Sequence, residues 1–170
     1  TDIEIKKMNL HTKAEHFQLA WHNMALASKI REEMRLTPLE HSLGAQMVLL
    51  PENASEVVEF AKLAKDSGLD YAVIKPYSQH NMSLTRQYEG TRYDEVLKLE
   101  NELHSLNSDK FQVIFRSTAM KELSRPVHEY DKCQSTPFFW AYIMANGDVY
   151  GCSAYLEDKR FCYGNLLENS

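Results

Sequence analysis

Long apolar runs are missing. No stretch of about 18 apolar residues occurs among the 170, so the sequence encodes no membrane-spanning helix. An excess of basic charge is missing too: 19 Lys and Arg against 24 Asp and Glu leave a net charge of −5. That argues against a general nucleic-acid binder, which must meet phosphates with a basic surface, although a local basic patch stays compatible with it. Cysteines are few. Three in 170 residues cannot build a disulfide scaffold. The opening residues Thr1 to Lys7 hold no apolar core of the signal-peptide kind, and a cytoplasmic location is expected. Without an initiator Met, the chain reads as processed, trimmed or a fragment. What is present is an ordinary globular composition, 44% hydrophobic and 25% charged, long enough for one domain and a small extra piece.

Periodicity divides the chain. Phe17, Ala20, Trp21, Met24, Ala27, Ile30 and Met34 recur at helical spacing and predict one long helix over about 14–35, stopped at Thr37-Pro38. Ala45 to Leu50 is almost wholly apolar, which suits a strand covered on both faces. A second helix follows, with Asn53 as N-cap, Glu56 completing a capping box, Val57, Phe60, Ala61 and Ala64 as its buried stripe, and Gly68 as its stop. Asp70 to Lys75 predicts the next strand. Tyr93 to about Leu106 predicts a third helix, with Tyr93, Val96, Leu97, Glu100 and Leu103 on one side, and Phe111 to Phe115 a third strand. This alternation is the signature of βαβ units and a parallel sheet, hence an α/β fold. The polar stretch from Tyr77 to Arg92 is too long for a plain connector.

Composition shifts after about residue 120. Ser124-Arg125-Pro126 reads as a linker between a domain over 1–123 and a segment over 124–170. Pro137 to Met144 predicts a strand, and Asn146-Gly147 before Asp148-Val149-Tyr150 predicts a hairpin through a type I′ turn. The aromatics Phe138, Trp140 and Tyr142 read as hydrophobic core. The cysteines surround this hairpin. Thirteen residues separate Cys133 from Gly147, four separate Gly147 from Cys152, and nine separate Cys152 from Cys162. Three soft thiolates at one end of a hairpin can ligate an iron–sulfur cluster or zinc. Equally, three independent buried cysteines behave as small apolar residues.

The segment CQSTPFFWAYIMANGDVYGCSAYLEDKRFCYGNLLENS, from Cys133 to Ser170, resembles the start of a SPASM or twitch auxiliary-cluster domain. Such domains are appended to radical S-adenosylmethionine enzymes and open with a Cys, nine to fifteen residues, a Gly, four residues and a Cys. Cys133, Gly147 and Cys152 fit that motif, and Gly164-Asn165-Leu166 is also typical of these domains. Upstream, HFQLAWHNMALASKIREEMRL and LGAQMVLLPENASEVVEFAKLAKDSGLDYAVIKP resemble the second half of a radical SAM barrel. The resemblance implies a partial (β/α) TIM-type barrel with parallel strands, followed by a small β-hairpin segment. It implies an auxiliary iron–sulfur cluster, of the [4Fe–4S] kind, on Cys133, Cys152 and Cys162. S-adenosylmethionine would be held at the barrel's strand ends in the full-length parent.

The departures carry weight. The family holds its catalytic cluster with C-x3-C-x2-C, and no such motif occurs here, nor do the later cysteines of a full SPASM domain. The expectation is therefore an interior or C-terminal fragment of a radical enzyme, inactive alone, whose parent cleaves S-adenosylmethionine to start radical chemistry. The substrate, whether peptide, carbohydrate or small molecule, is not readable. Exposed sheet edges in such a half-barrel favour pairing with a second copy as a homodimer. The alternative is a non-catalytic interaction domain that binds zinc or no metal.

Parallel sheets place ligands at the carboxyl ends of their strands, which brings Gln46, Lys75 and Tyr77, with Asn53, Ser78 and Gln79, near any pocket. Gln46 interrupts an apolar strand and either faces a cofactor or is a satisfied core amide. Lys75 either meets a carboxylate or emerges into solvent. Asn53 reads as a helix cap. His80, Arg86 and Arg92 are substrate-contact candidates. The remaining histidines show no paired metal spacing.

Overall fold

A computed structural model describes residues 14–38, 40–80, 83–125, 132 and 139–168. These fall into two units. The first holds the described residues up to Tyr77 together with Gly90–Arg125; the second holds Ser78–Glu89 and the described residues after 131.

In the first unit, helix α1 spans Ala14–Glu33, strand β1 Gly44–Leu49, helix α2 Val57–Asp66, strand β2 Tyr71–Pro76, helices α3 Asp94–Leu97 and α4 Glu100–His104, strand β3 Gln112–Phe115 and helix α5 Ser117–Leu123. The three strands form one parallel sheet in the order β1-β2-β3, with Ala45 opposite Ala72 and Ala72 opposite Val113. It does not close into a barrel: among the described residues β1 and β3 each pair on one side only.

Every helix of the sheet contributes to one core. Ala45, Leu49, Ala72, Ile74, Val113 and Phe115 meet Val57, Ala61 and Ala64 of α2, Val96, Leu103 and Met120 in a single cluster. Consecutive parallel strands joined by crossovers of one hand place all their helices on the same side. Among the described residues the helices lie against one face of the sheet. Along β1, Ala45 and Leu49 are buried while Gln46 is exposed, and Val48, Val73 and Ile114 stay half-buried outside the core cluster.

Helix α1 docks through part of its expected stripe. Trp21 and Met24 pack against the core, and Trp21 stacks between Phe17 and Phe60 at centroid distances of 5.7 and 6.1 Å. Ile30 and Met34 instead face water at 44% and 63% exposure. Polar contacts fix the lower half of the helix. Ser28 Oγ donates to the Gly68 carbonyl (2.7 Å), and Arg31 pairs with Asp70, which also accepts from the Leu43 N–H (2.7 Å). Gly68 ends α2 as expected, at φ +73°, and Leu69 N–H donates back to the Ala64 carbonyl.

Three local expectations change. Asn53 is not an N-cap. It lies in a 3₁₀ turn over Pro51–Glu56, 6% exposed, accepting from Leu50 N–H (2.9 Å) and donating to the Val48 carbonyl (3.0 Å). The helix expected over 93–106 is two short helices. Lys98 and Leu99 donate to the carbonyls three residues back, tightening the chain between them, yet Val96 and Leu103 both stay in the core. Helix α5, which the periodicity did not reveal, buries Met120 and seats Ser117 Oγ on Glu100 (2.6 Å).

The second unit is an antiparallel sheet of β4 Tyr142–Ile143, β5 Asp148–Tyr150 and β6 Cys162–Asn165. The hairpin exists, but its turn is not type I′. Gly147 N–H donates to the Met144 carbonyl (2.9 Å), and of Ala145, Asn146 and Gly147 only Gly147 has positive φ, at +87°. That is a three-residue loop with glycine in the left-handed position. The aromatic strand is also shorter than expected. Trp140 is 59% exposed, stacked on the half-buried Tyr142 rather than in a core, while Phe138 lies outside the described residues.

Candidate functional site

The candidate residues fall into two groups, one in each unit. In the first unit, strand alternation sends Ala45, Met47 and Leu49 toward the helices and Gly44, Gln46 and Val48 to the other side. Gln46 lies opposite Val73, and Val48 opposite Lys75. Gln46 and Lys75 are therefore diagonal neighbours on the sheet face turned away from the helices, with Val73 and Ile114 as its apolar floor. Gln46 is exposed and Lys75 half-buried, and neither side chain has a hydrogen-bond partner among the described residues.

Tyr77 follows β2 at its carboxyl end. Its N–H donates to the Leu49 carbonyl (3.3 Å), and its carbonyl accepts from the Tyr93 hydroxyl (3.0 Å). Tyr93 is 3% exposed, and this burial pushes its phenol above the ordinary tyrosine range. Asn53 holds the end of β1 in the same way, by its bonds to Val48 and Leu50. The carboxyl ends of β1 and β2 are thus pinned by two buried polar side chains, and the residues of the face turned away from the helices stand on backbone fixed from the core side. A polar cleft of about 330 Å³ lies at the amino ends instead, lined by Asp70, Asn107, Asp109, Lys110 and Gln112 among others.

The other polar candidates have local partners. Arg92 makes a two-point contact with Asp94 (2.7 and 3.4 Å), which holds the Asp94 carboxyl below its ordinary range. Arg86 pairs with Glu89 at 3.8 Å. Ser78 is exposed, and Gln79 Nε2 donates within its own loop, to the carbonyls of His80 (3.3 Å) and Thr85 (3.0 Å). In the second unit, His80 Nε2 lies 2.9 Å from the Ser153 carbonyl, tying the Ser78–Glu89 loop to the turn after Cys152.

The thiols stand in that second unit. Cys152 and Cys162 are free and half-buried. Tyr150, the last residue of β5, lies opposite Cys162, the first of β6, and Cys152 comes two residues after Tyr150, so both thiols belong to one end of the sheet. Cys162 donates to the Gly164 carbonyl at 3.5 Å. Cys133 lies outside the described residues. Among the described residues no group of three His, Cys, Asp or Glu side chains is placed to hold a metal ion. The donor set that is described, two free soft thiols not locked in a disulfide, fits part of a thiolate-held metal centre, and Cys133 is the sequence's remaining cysteine donor.

The chain matches no protein-family model, no curated protein and no solved structure.

Three residues organise the hairpin; of these, Asn165 was legible as a turn residue, as the structure bears out, while the partners of Asp148 and Tyr150 were not. Asn165 donates to the Asn146 carbonyl (2.9 Å) and to Asp148 (2.8 Å) while accepting from Leu167 N–H, clamping the hairpin turn to the C-terminal segment. These bonds, with that from Asn146, hold the Asp148 carboxyl below its ordinary range. Tyr150 is 4% exposed, and burial first, then Asp148 and Cys162, push its phenol upward. The only signal for Tyr150 was its place two residues before Cys152; its partner across the sheet depends on a register that spacing does not encode.

Proposed function

We propose that this chain is part of a radical S-adenosylmethionine enzyme. The first unit would be a segment of the partial (β/α) barrel and the second the front of a SPASM or twitch auxiliary-cluster domain. The observation that carries this reading is the consecutive parallel order β1-β2-β3 with, among the described residues, every helix on one face and Gln46 and Lys75 on the other. In a (β/α) barrel the helices form the outer ring, so the face turned away from them is the interior. The second unit supports the same reading through Gly147, which turns the hairpin between Cys133 and Cys152, and through two free thiols at one sheet end.

In this reading Lys75 offers an ammonium to a cofactor or substrate carboxylate, Gln46 an amide, and Tyr77 a wall at the strand end. Cys133, Cys152 and Cys162 would hold an auxiliary iron–sulfur cluster. When bound, the cluster and S-adenosylmethionine supply the electron transfer and the radical; the protein positions and shields them. The C-x3-C-x2-C motif for the catalytic cluster is not in this sequence; in this reading a longer parent chain would supply it.

The test is anaerobic reconstitution of the full chain with iron and sulfide, followed by metal analysis and visible spectroscopy. A brown protein whose absorbance is lost in Cys133→Ala and Cys162→Ser is expected. A colourless product, or a spectrum unchanged by those substitutions, sinks the assignment, and stoichiometric zinc in place of iron would make the chain a structural metal-binding module.

A further inference from the structure

Helix α1 carries apolar residues on two opposite sides. Trp21 and Met24 dock on the core of the first unit, on the side of the helix where Ser28 and Arg31 make their bonds to Gly68 and Asp70. The other side bears Leu19, Leu26, Ile30 and Met34, exposed by 56%, 46%, 44% and 63%. At 3.6 residues per turn the two sets lie about 150° apart around the helix. The docked side cannot therefore shelter the second stripe.

The order of residues in that stripe selects its occupant. Leu19 and Leu26 are seven residues apart, and Asn23 and Ile30 follow them at four residues each. That is the heptad spacing of a two-helix seam, with leucine at d and with asparagine and isoleucine at a. Leucine at d with a β-branched residue at a favours two parallel strands, and a single asparagine at a fixes register and number. Asn23 is exposed on α1. Covered by an apolar partner, its amide would exchange water for nothing. Beside the Asn23 of a second copy running the same way, each amide both donates and accepts.

The rim fits the same arrangement. Across such a pair His22 faces Ala27 and Lys29 faces Met34, so no like charges meet there. Glu33 occupies the next d position and ends the apolar seam, with Lys29 4.0 Å from it. The four exposed apolar residues leave on the order of 400 Å² per copy, about 800 Å² in a pair, which is below a standard interface and sets the pairing as weak.

We propose that the outer stripe of α1 is a self-association surface, on which a second copy of this chain pairs in parallel and in register, Asn23 against Asn23. The contact is isologous, the same patch on both copies about a two-fold axis. It asks nothing of the cysteines, of a cofactor or of a sheet edge.

The experiment is sedimentation equilibrium of the full chain under reducing conditions, so that no cysteine cross-links the copies. Wild type is expected to dimerise with a Kd between about 10 μM and 1 mM. In register, residue 26 of one copy meets residue 26 of the other. Leu26→Glu and Leu26→Lys should therefore each weaken the dimer at least about tenfold, and an equimolar mixture of the two should recover it. Asn23→Leu should tighten association and loosen its stoichiometry, because the amide specifies the dimer at a cost in stability. Wild type that stays monomeric at about 1 mM overturns the proposal and leaves the stripe to another part of this chain or to a different protein. Dimerisation indifferent to Leu26→Glu overturns it too, since the copies then meet elsewhere, and a mixture that stays monomeric overturns the parallel register. Circular dichroism checks the fold of each variant. Should the residue-26 variants fail to fold, Ile30→Glu and Ile30→Lys carry the same comparison at the neighbouring a position.

Discussion

The Arg31–Asp70 pair offers the sharpest quantitative test of how the first unit is held. Asp70 stands just before β2, and its carboxylate accepts from Arg31 on α1 and from the Leu43 N–H just before β1. The two side chains are only 11% and 14% exposed. Asp70→Ala would leave a guanidinium largely out of water and the Leu43 N–H without its acceptor. Removing one partner of a buried pair costs about 3–5 kcal/mol. Arg31 keeps two carbonyl acceptors, on Gly68 (3.3 Å) and His41 (3.2 Å), so the lower end applies, about 3 kcal/mol. For a chain of this length that is a fall in Tm of about 6–12 °C. Arg31→Ala and the double variant complete a cycle whose coupling should be about 1.5–2 kcal/mol, as for a hydrogen bond between charged groups. Urea unfolding of the four proteins gives the coupling, and hydrogen exchange at the Leu43 amide reports the same site locally. A coupling below about 0.5 kcal/mol would place the pair with ordinary surface ion pairs and refute the argument.

Two further outcomes come from single sites. Gly68→Ala forces a side chain into φ +73° and puts its Cβ 2.5 Å from Ser28 Oγ, the group that bonds the Gly68 carbonyl, so a loss of about 2–3 kcal/mol is expected. Gly90→Ala, at φ +75° with nothing within 4 Å, should cost only the backbone share, about 1–2 kcal/mol; equal losses at both sites would show that Ser28 plays no part. In the second unit, Asp148 has a folded pKa below its ordinary 3.8 because Asn165 and Asn146 bond its charged form. A depressed carboxylate contributes stability that is present above its unfolded pKa and fades as pH falls through the folded one. Acidification below about pH 4 should therefore loosen the hairpin, and Asn165→Ala should move the Asp148 carboxyl titration upward by carbon NMR; an unmoved titration rejects the clamp.

Much of the first unit was legible as local period. The apolar runs at 45–50, 70–75 and 111–115 gave strands within a residue or so of β1, β2 and β3, because burial of one strand leaves a mark on its own residues. Gly68 was legible because only glycine takes that cap without strain. The candidate site was legible only in part. Gln46 stood out as a polar interruption and does lie off the core, yet the same letters fit a satisfied core amide. Asn53 fits an N-cap pattern but serves the strand end, since its amide finds the Val48 and Leu50 backbone in a 3₁₀ turn that the pattern does not specify.

By itself, the sequence determined the alternation of helices and parallel strands, the stop at Gly68, a hairpin around Gly147 and the cysteine spacing. All of these depend on residues close together along the chain. Tertiary structure decided which face of the sheet the helices cover, that Asp70 joins α1 to both strand starts, and that a bulge sets Cys162 rather than Tyr163 opposite Tyr150. Each of these depends on partners brought together across the fold, and hydrophobic period carries no record of which distant backbone a residue will meet. The three scattered cysteines of the composition thus divide into Cys133, outside the described residues, and two thiols whose shared end of a sheet only strand pairing reveals.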